Sequence, residues 1–310
     1  LPDYVVMRMT GHAPVTDPTN AGSSGIFDVI ARKWDYSLIR RLGLQEVLLP
    51  EVRKSGETVG GLTAEASRKT CLPRGIPVSV ACGDNQASFL GGVADRRGSL
   101  LINIGTGGQI SMWVPEFIEA EKAETRCYLD ESYLLVGADI CGGSSYALLH
   151  RFFLHVGQVF FGARGDENLY EAMKQQAAKA PPGTEGLRCE PFFSGSRFDP
   201  SRRAVLVGIT DSNFTVGHVT RALLEGVSRH FKKLYEDMLQ SGVSPRRCLI
   251  GSGNGIRKNP LLAEILSTVF NMPIKIPVNP EEAAFGAALL AAVGCGDLDF
   301  EEAAHRVKYE

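Results

Sequence analysis

Three short stretches carry residue types and spacings that could do chemistry. The first is Gly83-Asp84-Asn85-Gln86, within ACGDNQASFLGG (81–92), where a carboxylate follows an apolar, strand-like run from Ile76 to Ala81 and precedes a small-residue helix. A carboxylate at the carboxyl end of a strand stands where open α/β sheets place ligands. A helix cap is the plainer reading of the same Asp84. The second stretch is Gly105-Thr106-Gly107-Gly108, a turn between SLLINI and QISMWV. Its glycines let the backbone approach a phosphate and Thr106 offers a hydroxyl, although an ordinary hairpin turn would look alike. The third is Gly251-Ser252-Gly253-Asn254-Gly255, between a strand and a helix, where backbone N–H groups can hold an anion or simply make a tight turn.

Two other nucleotide chemistries fit these stretches poorly. The GSGNG spacing is G-x-G-x-G, and Asn271-Met272-Pro273-Ile274 occupies the place of the acidic ribose ligand of a dinucleotide site, which weakens an NAD-dependent oxidoreductase. No G-x-x-x-x-G-K-[ST] occurs, which excludes a P-loop at the motif level. The seven cysteines are widely spaced without a C-x-x-C pair, and the six histidines form no ligand cluster, so neither a structural metal nor a nucleophile–base pair is expected.

Composition narrows the class further. The chain has 310 residues, 44% hydrophobic and 22% charged, enough for two domains with real cores. A net charge of −2 gives no electrostatic case for nucleic acid or an anionic membrane surface, and no apolar run is long enough for a membrane helix. The start, LPDYVVMRMTG, has no signal-peptide character, and an odd number of scattered thiols fits a reducing, cytoplasmic setting.

The elements that must position these stretches follow from periodicity. Asn20 to Ser24 reads as a loop, and the apolar residues from Ile26 to Leu42 recur at helical spacing, interrupted at Asp35-Tyr36-Ser37 by a loop and new cap. Residues 99–114 predict a hairpin, 133–138 a strand, 144–156 a helix, and 168–180 another helix in a loop-rich stretch from 162 to 204. Residues 216–239 predict a long amphipathic helix, followed by strand 247–250, helix 260–270, strand 274–278 and helix 281–293. The expected class is α/β, a mixed sheet carrying helices.

The order of these stretches resembles the FGGY family of carbohydrate kinases. DYVVMRMTG…TDPTNAGSSGIFDVIARKWDYSLIRRLGL (3–44), the segment at Asp84, the Gly-Thr-Gly turn, EPFFSGSRFDPSRRAVLVGITDSNFTVGHVTRALLEGV (190–227), GSGNGIRKNPLLAEILSTVFNMPI (251–274) and EEAAFGAALLAA are all similar to that family, in sequence. GHVTRAL (217–223) and GSGNGIRKNP (251–260) are in the style of its sedoheptulokinases, while Gly83 to Ala87 also suits xylulokinase and glycerol kinase members. The resemblance implies an RNase-H-like fold shared with actin, hexokinase and heat-shock ATPases. Residues 1–92 would be the C-terminal portion of a sugar-binding first domain, and residues 93–310 a nucleotide-binding second domain.

The resemblance implies roles as well. The expected reaction is ATP-dependent phosphorylation of a sugar or polyol hydroxyl, with sedoheptulose or a related ketose as acceptor. Asp84 would be the general base, with Asn85 and Gln86 on the sugar. Gly105, Thr106 and Gly107 would line the β- and γ-phosphates of ATP, Gly107 standing where the family commonly has Ser. Gly251, Gly253 and Asn254 would border the ribose and α-phosphate. Asn259 would reach the adenine or cap the helix beginning at Pro260. Arg197 and Asp199 lie in a family loop where a structural ion pair is expected, and Mg2+ would travel with the nucleotide. The D-x-G-T-[TS] phosphate motif with which family members begin does not occur in these residues. A chain lacking it is expected to transfer phosphate poorly alone, or to be a non-catalytic nucleotide- or sugar-binding fragment. The sequence leaves a homodimer open.

Overall fold

The computed structural model describes residues 1–140, 142–162 and 168–310, so Cys141 and part of the expected loop near 162 lie outside the described residues. Its centre is a six-stranded mixed sheet: β1 (Ser99–Ile104), β2 (Gly108–Val114), β3 (Glu124–Cys127), β4 (Tyr133–Ile140), β5 (Cys248–Ser252) and β6 (Ile274–Lys275), in the order β6-β5-β1-β2-β4-β3. The meander β1, β2, β4, β3 is antiparallel, and β5 pairs in parallel with both β1 and β6. The run SLLINI is apolar at successive positions because the sheet is covered on both faces. Leu100, Ile102 and Ile104 face a core completed by Leu223, Phe231 and Leu234. Leu101, with Trp113, Leu134 and Ile250, faces a second core with Phe89, Leu90 and Leu289.

The first core is closed by α4 (Val216–Gln240) and α5 (Pro260–Phe270), after α2 (Gly142–Phe161) and α3 (Leu169–Lys179). The second is closed by α1 (Asp84–Gly92) and α6 (Glu282–Gly294). These two helices cross so closely that a Cβ on Gly286 would stand 1.8 Å from the Ala87 carbonyl oxygen, and one on Gly91 2.1 Å from that of Glu282. Only glycine permits that backbone approach.

The hairpin 99–114 and the expected helices from 144 onward form, within a few residues of their expected ends. The first ninety residues depart more from expectation. Asn20 to Ser24 is not a loop: Asp17 caps a short helix, Pro18–Ala21, which runs into a 3-10 turn, Gly22–Ser24. Ile26 to Trp34 is not helical but a small hairpin, Phe27–Asp28 against Lys33–Trp34. The Asp28 carboxylate accepts from Ile30 N (2.9 Å) and Ala31 N (2.8 Å), fixing the turn, and Phe27 meets Trp34 edge-on at 5.5 Å. Apolar residues seven apart can meet across a hairpin as well as along a helix face. Asp35 does cap the helix Tyr36–Arg41. The expected strand to Ala81 pairs only over Pro77–Ser79. Beyond it Val80 N still donates to the Glu57 carbonyl (2.8 Å), and side chains then hold the backbone at Ala81 and Gly83. The strand expected to reach Val278 pairs only at Ile274–Lys275; Pro277, which has no N–H to donate, makes an isolated bridge with Tyr309.

Candidate functional site

Asp84 is the first residue of α1, and Gly83, not Asp84, occupies the cap position. Its exposed side chain accepts from the Asn85 amide (2.7 Å). The carboxylate therefore stands five residues beyond the end of the strand at Ser79, at a helix start that favours negative charge. Asn85 donates to Gln109 Oε1 (3.1 Å) and Ser111 Oγ (3.4 Å), which ties the start of α1 to β2. Gln86 is 3% exposed and its Nε2 donates to the Cys127 carbonyl (2.9 Å). The Gln86 nitrogen expected on a ligand is thus spent inside the fold, anchoring α1 to β3.

Asp84, Asn85 and Gln86 border a cavity of about 960 Å3, which also meets Asn20, Glu124 and Arg197. Cys82 lies on its wall, but burial first and the Asp17 charge second push its thiol up to about 12, so it is a neutral thiol and no nucleophile.

A second cavity, of about 970 Å3, opens over the end of β1. Gly105, Thr106, Asn254 and Asn259 line it, so the residues expected around a nucleotide converge from two separate turns. Two amides at the start of α2 lock the first turn: Gly143 N donates to the Gly105 carbonyl and Ser144 N to that of Thr106, both at 3.0 Å. Gly253 has φ +83°, and a Cβ there would lie 2.5 Å from the Ile104 carbonyl oxygen, so the second turn can press against the first only with glycine. Gly251 is a different case. It is buried among Ile256, Ile274 and Ile276 and packs the core instead of bordering the cavity. Asn259 combines both expectations, capping α5 through Leu262 N (3.3 Å) while lining the cavity.

Several lining residues escaped the sequence reading. Tyr146 and Tyr170 stack at 5.8 Å, giving the cavity an aromatic wall, and buried His150, which does not line the cavity, stacks on Tyr170 at 3.9 Å. Arg151, Lys174 and Lys258 bring positive charge, and Lys174 donates to the Lys258 carbonyl (3.2 Å). GGSSY (142–146) was the available signal, a glycine-rich helix start, but nothing local says that it docks on a hairpin turn far back in the chain.

A third cavity, of about 560 Å3, lies beside the other two. It shares Gly105 with the aromatic cavity and Arg197 with the Asp84 cavity, and Gly107 and Gln109 lie between. Arg197 pairs with Glu124, the ion pair expected of it, and Asp199 accepts from Ser201 N (2.9 Å) within its own loop. Arg257, at the end of the short helix Asn254–Arg257, donates to buried Glu282 at the head of α6 (2.6 Å) and to the carbonyls of Pro277 and Asn279. Glu282 is therefore an ion-pair partner, not only a helix-dipole acid.

The N-terminal domain of the FGGY family of carbohydrate kinases matches residues 1–91, and the C-terminal domain of that family matches residues 100–295. The chain belongs to the FGGY family. This FGGY chain is 28% identical over 302 residues to sedoheptulokinase of Mus musculus, an alignment that covers 93% of the chain and 60% of that protein. It is 30% identical over 309 residues to glycerol kinase of Thermus brockianus, covering 95% of the chain and 58% of that protein. The crystal structure of xylulose kinase from Rhodospirillum rubrum superposes with a TM-score of 0.85 at 27% identity, over 99% of the chain and 61% of its counterpart. The fold is the actin/hexokinase-like one of this FGGY group, with a mixed sheet and helices on both faces. The chain spans about 60% of the length of the curated sedoheptulokinase it matches. Among the described residues no helix is long and apolar enough to cross a membrane.

Proposed function

We propose that this chain carries the nucleotide-binding part and the catalytic carboxylate of an ATP-dependent sugar kinase, residues 1–92 contributing to the sugar side and residues 93–310 to the nucleotide side. The observation that carries the reading is that the Asp84 cavity and the cavity under Gly105 and Thr106 each share a lining residue, Arg197 and Gly105, with a third cavity beside them. Phosphoryl transfer asks mainly for positioning and charge neutralisation, and this arrangement supplies both. The acceptor hydroxyl oxygen attacks the γ-phosphorus in line, and the bond from that phosphorus to the bridging oxygen breaks. ADP leaves with the electron pair and the hydroxyl proton passes to Asp84. Arg197, at the junction of two cavities, neutralises charge on the phosphoryl group in transit. The aromatic wall at Tyr146 and Tyr170 takes the base, and Arg151, Lys174 and Lys258 the phosphates.

Magnesium would be held mainly by phosphate oxygens and water, where it offsets their charge; among the described residues no group of three or more His, Cys, Asp or Glu forms a cage of its own. The acceptor is a sugar or polyol, and sedoheptulose is the first ketose to try, since two sedoheptulokinases stand among the relatives, at 28% and 29% identity.

Calorimetric titration of the chain with Mg-ADP, with NAD as control, tests the nucleotide half. Saturable ADP binding is expected, lost in folded Thr106→Val and Gly253→Val variants, with no NAD binding. An ADP-silent but folded chain, or NAD binding in its place, would overturn the reading.

A further inference from the structure

Asp84 begins a helix, yet the residues that decide where that helix begins lie elsewhere in the chain. Gly83 N donates to Thr19 Oγ1 at 2.7 Å, across 64 positions of sequence. The same hydroxyl lies 2.8 and 2.7 Å from the two Asp17 carboxylate oxygens. A backbone N–H can only donate, so the hydroxyl must accept from Gly83, and its single hydrogen is left for Asp17. The direction of the chain of hydrogen bonds is thereby fixed: Gly83 to Thr19 to Asp17.

Asp17 is fully buried and accepts more than a helix cap requires. Besides the Asn20 amide (2.9 Å), which a cap would satisfy, it takes Ser55 Oγ at 2.5 Å from a separate segment. Asn20 adds a parallel tie, its Nδ2 donating to the Ala81 carbonyl at 3.0 Å. Segment 81–83 has no strand partner, so these side chains stand in for one. From the other side Gln86 holds the first turn of α1 to Cys127. The tripod spans Asp84 and leaves its carboxylate exposed at the cavity.

We infer that Asp17 and Thr19 are positioning residues, Thr19 holding the Gly83 amide in an orientation set by Asp17 and so fixing where the Asp84 carboxylate stands. The catalytic part of this inference rests on the kinase reading; the positioning does not. A carboxylate that must meet a substrate hydroxyl within hydrogen-bond reach is sensitive to displacements of about 1 Å, which can cost on the order of a hundredfold in rate.

The test uses isotope-labelled 310-residue chain and two resonances that report whether or not a sugar is phosphorylated. They are the Gly83 amide, followed by hydrogen exchange, and the Asp84 side-chain carboxyl carbon. Thr19→Val keeps the shape and removes the hydroxyl. Gly83 exchange is expected to rise about tenfold or more and the Asp84 resonance to move, both returning in Thr19→Ser. Asp17→Asn, which offers Thr19 an amide in place of a carboxylate, is the second variant and should loosen Gly83 as well. Unchanged Gly83 exchange and an unmoved Asp84 signal in either folded variant would overturn the inference. Calorimetric Mg-ADP binding on the same samples reports the kinase reading separately, since transfer by a chain without the D-x-G-T-[TS] motif is expected to be poor. A loosened Gly83 without ADP binding supports the positioning and counts against the kinase, whereas ADP binding with an indifferent Gly83 does the reverse.

Discussion

Asp17 and Asp84 are carboxylates in opposite settings, and the difference assigns them different work. Asp84 is exposed at a helix start, able to meet a substrate; Asp17 is wholly enclosed, and burial raises its pKa above 3.8 despite its hydrogen bonds from Ser55, Asn20 and Thr19. Since the folded value is the raised one, the folded chain binds that proton more tightly than the unfolded chain. The stability from this group is fully present below about 3.8 and is lost as pH rises through the raised value. The thiols facing it, Cys82 and Cys127, are pushed up to about 12 and about 11 and do not titrate in that window. Asp17→Asn is therefore expected to flatten the acid side of the stability profile, read by urea unfolding at successive pH values. At Asp84 the expectation concerns rate. Asp84→Asn should lower transfer by about 10²- to 10⁴-fold while calorimetric ADP affinity stays within a factor of about two. An equal loss in both would place Asp84 in nucleotide binding and not in proton transfer.

At the scale of elements, the crossing of α1 and α6 ties the start of the site to the last third of the chain. Gly286→Ala puts a methyl group where a backbone carbonyl already stands, 1.8 Å away, so the helices must part. An overpacking cost of about 1–3 kcal/mol is expected in urea unfolding; a variant as stable as wild type would show that the crossing relaxes freely. The Arg257–Glu282 pair nearby is buried on both sides, with 13% and 6% side-chain exposure. Removing one partner leaves an uncompensated charge, so Arg257→Leu should cost about 3–5 kcal/mol, and Arg257→Leu with Glu282→Leu should recover most of it. How much of this was legible depends on what decides each element. Helix 260–270 and the hairpin around Gly105 are fixed by local signals: Asn259 before Pro260 in one, strand-like apolar runs about glycines in the other. The hairpin at Phe27 and Trp34 was misread because seven-residue spacing serves two geometries. Gln86 looked like a ligand because nothing near it in sequence announces the Cys127 carbonyl. The Thr19–Gly83 contact, the Gly143 latch and the Arg257–Glu282 pair join distant segments, and single-sequence patterning carries no record of such pairings.

Across the whole molecule, function turns on whether three cavities act as one site, and Arg197 is where that can be decided. Its ion pair with Glu124 leaves both side chains well exposed, at 51% and 42%. Exposed pairs of this kind contribute about 0–1 kcal/mol, so this pair by itself adds little stability. Its place points to a further role, because it borders both the cavity that holds Asp84 and the third cavity, which Gly105 also lines. A guanidinium there can meet a phosphoryl group that neither outer cavity contains by itself. Arg197→Ala is therefore expected to shift unfolding free energy by less than about 1 kcal/mol and to leave ADP affinity nearly unchanged, while transfer falls by about 10²- to 10³-fold. Arg197→Lys should restore only part of the rate, since a point charge lacks the planar fork. The decisive comparison is between unfolding and turnover in the same alanine variant. A large loss of stability with proportionate loss of rate would make Arg197 a structural tie to Glu124 and leave the adjacency of the three cavities an accident of packing. A stable variant that binds ADP and cannot transfer would mean that the three cavities work as a single site.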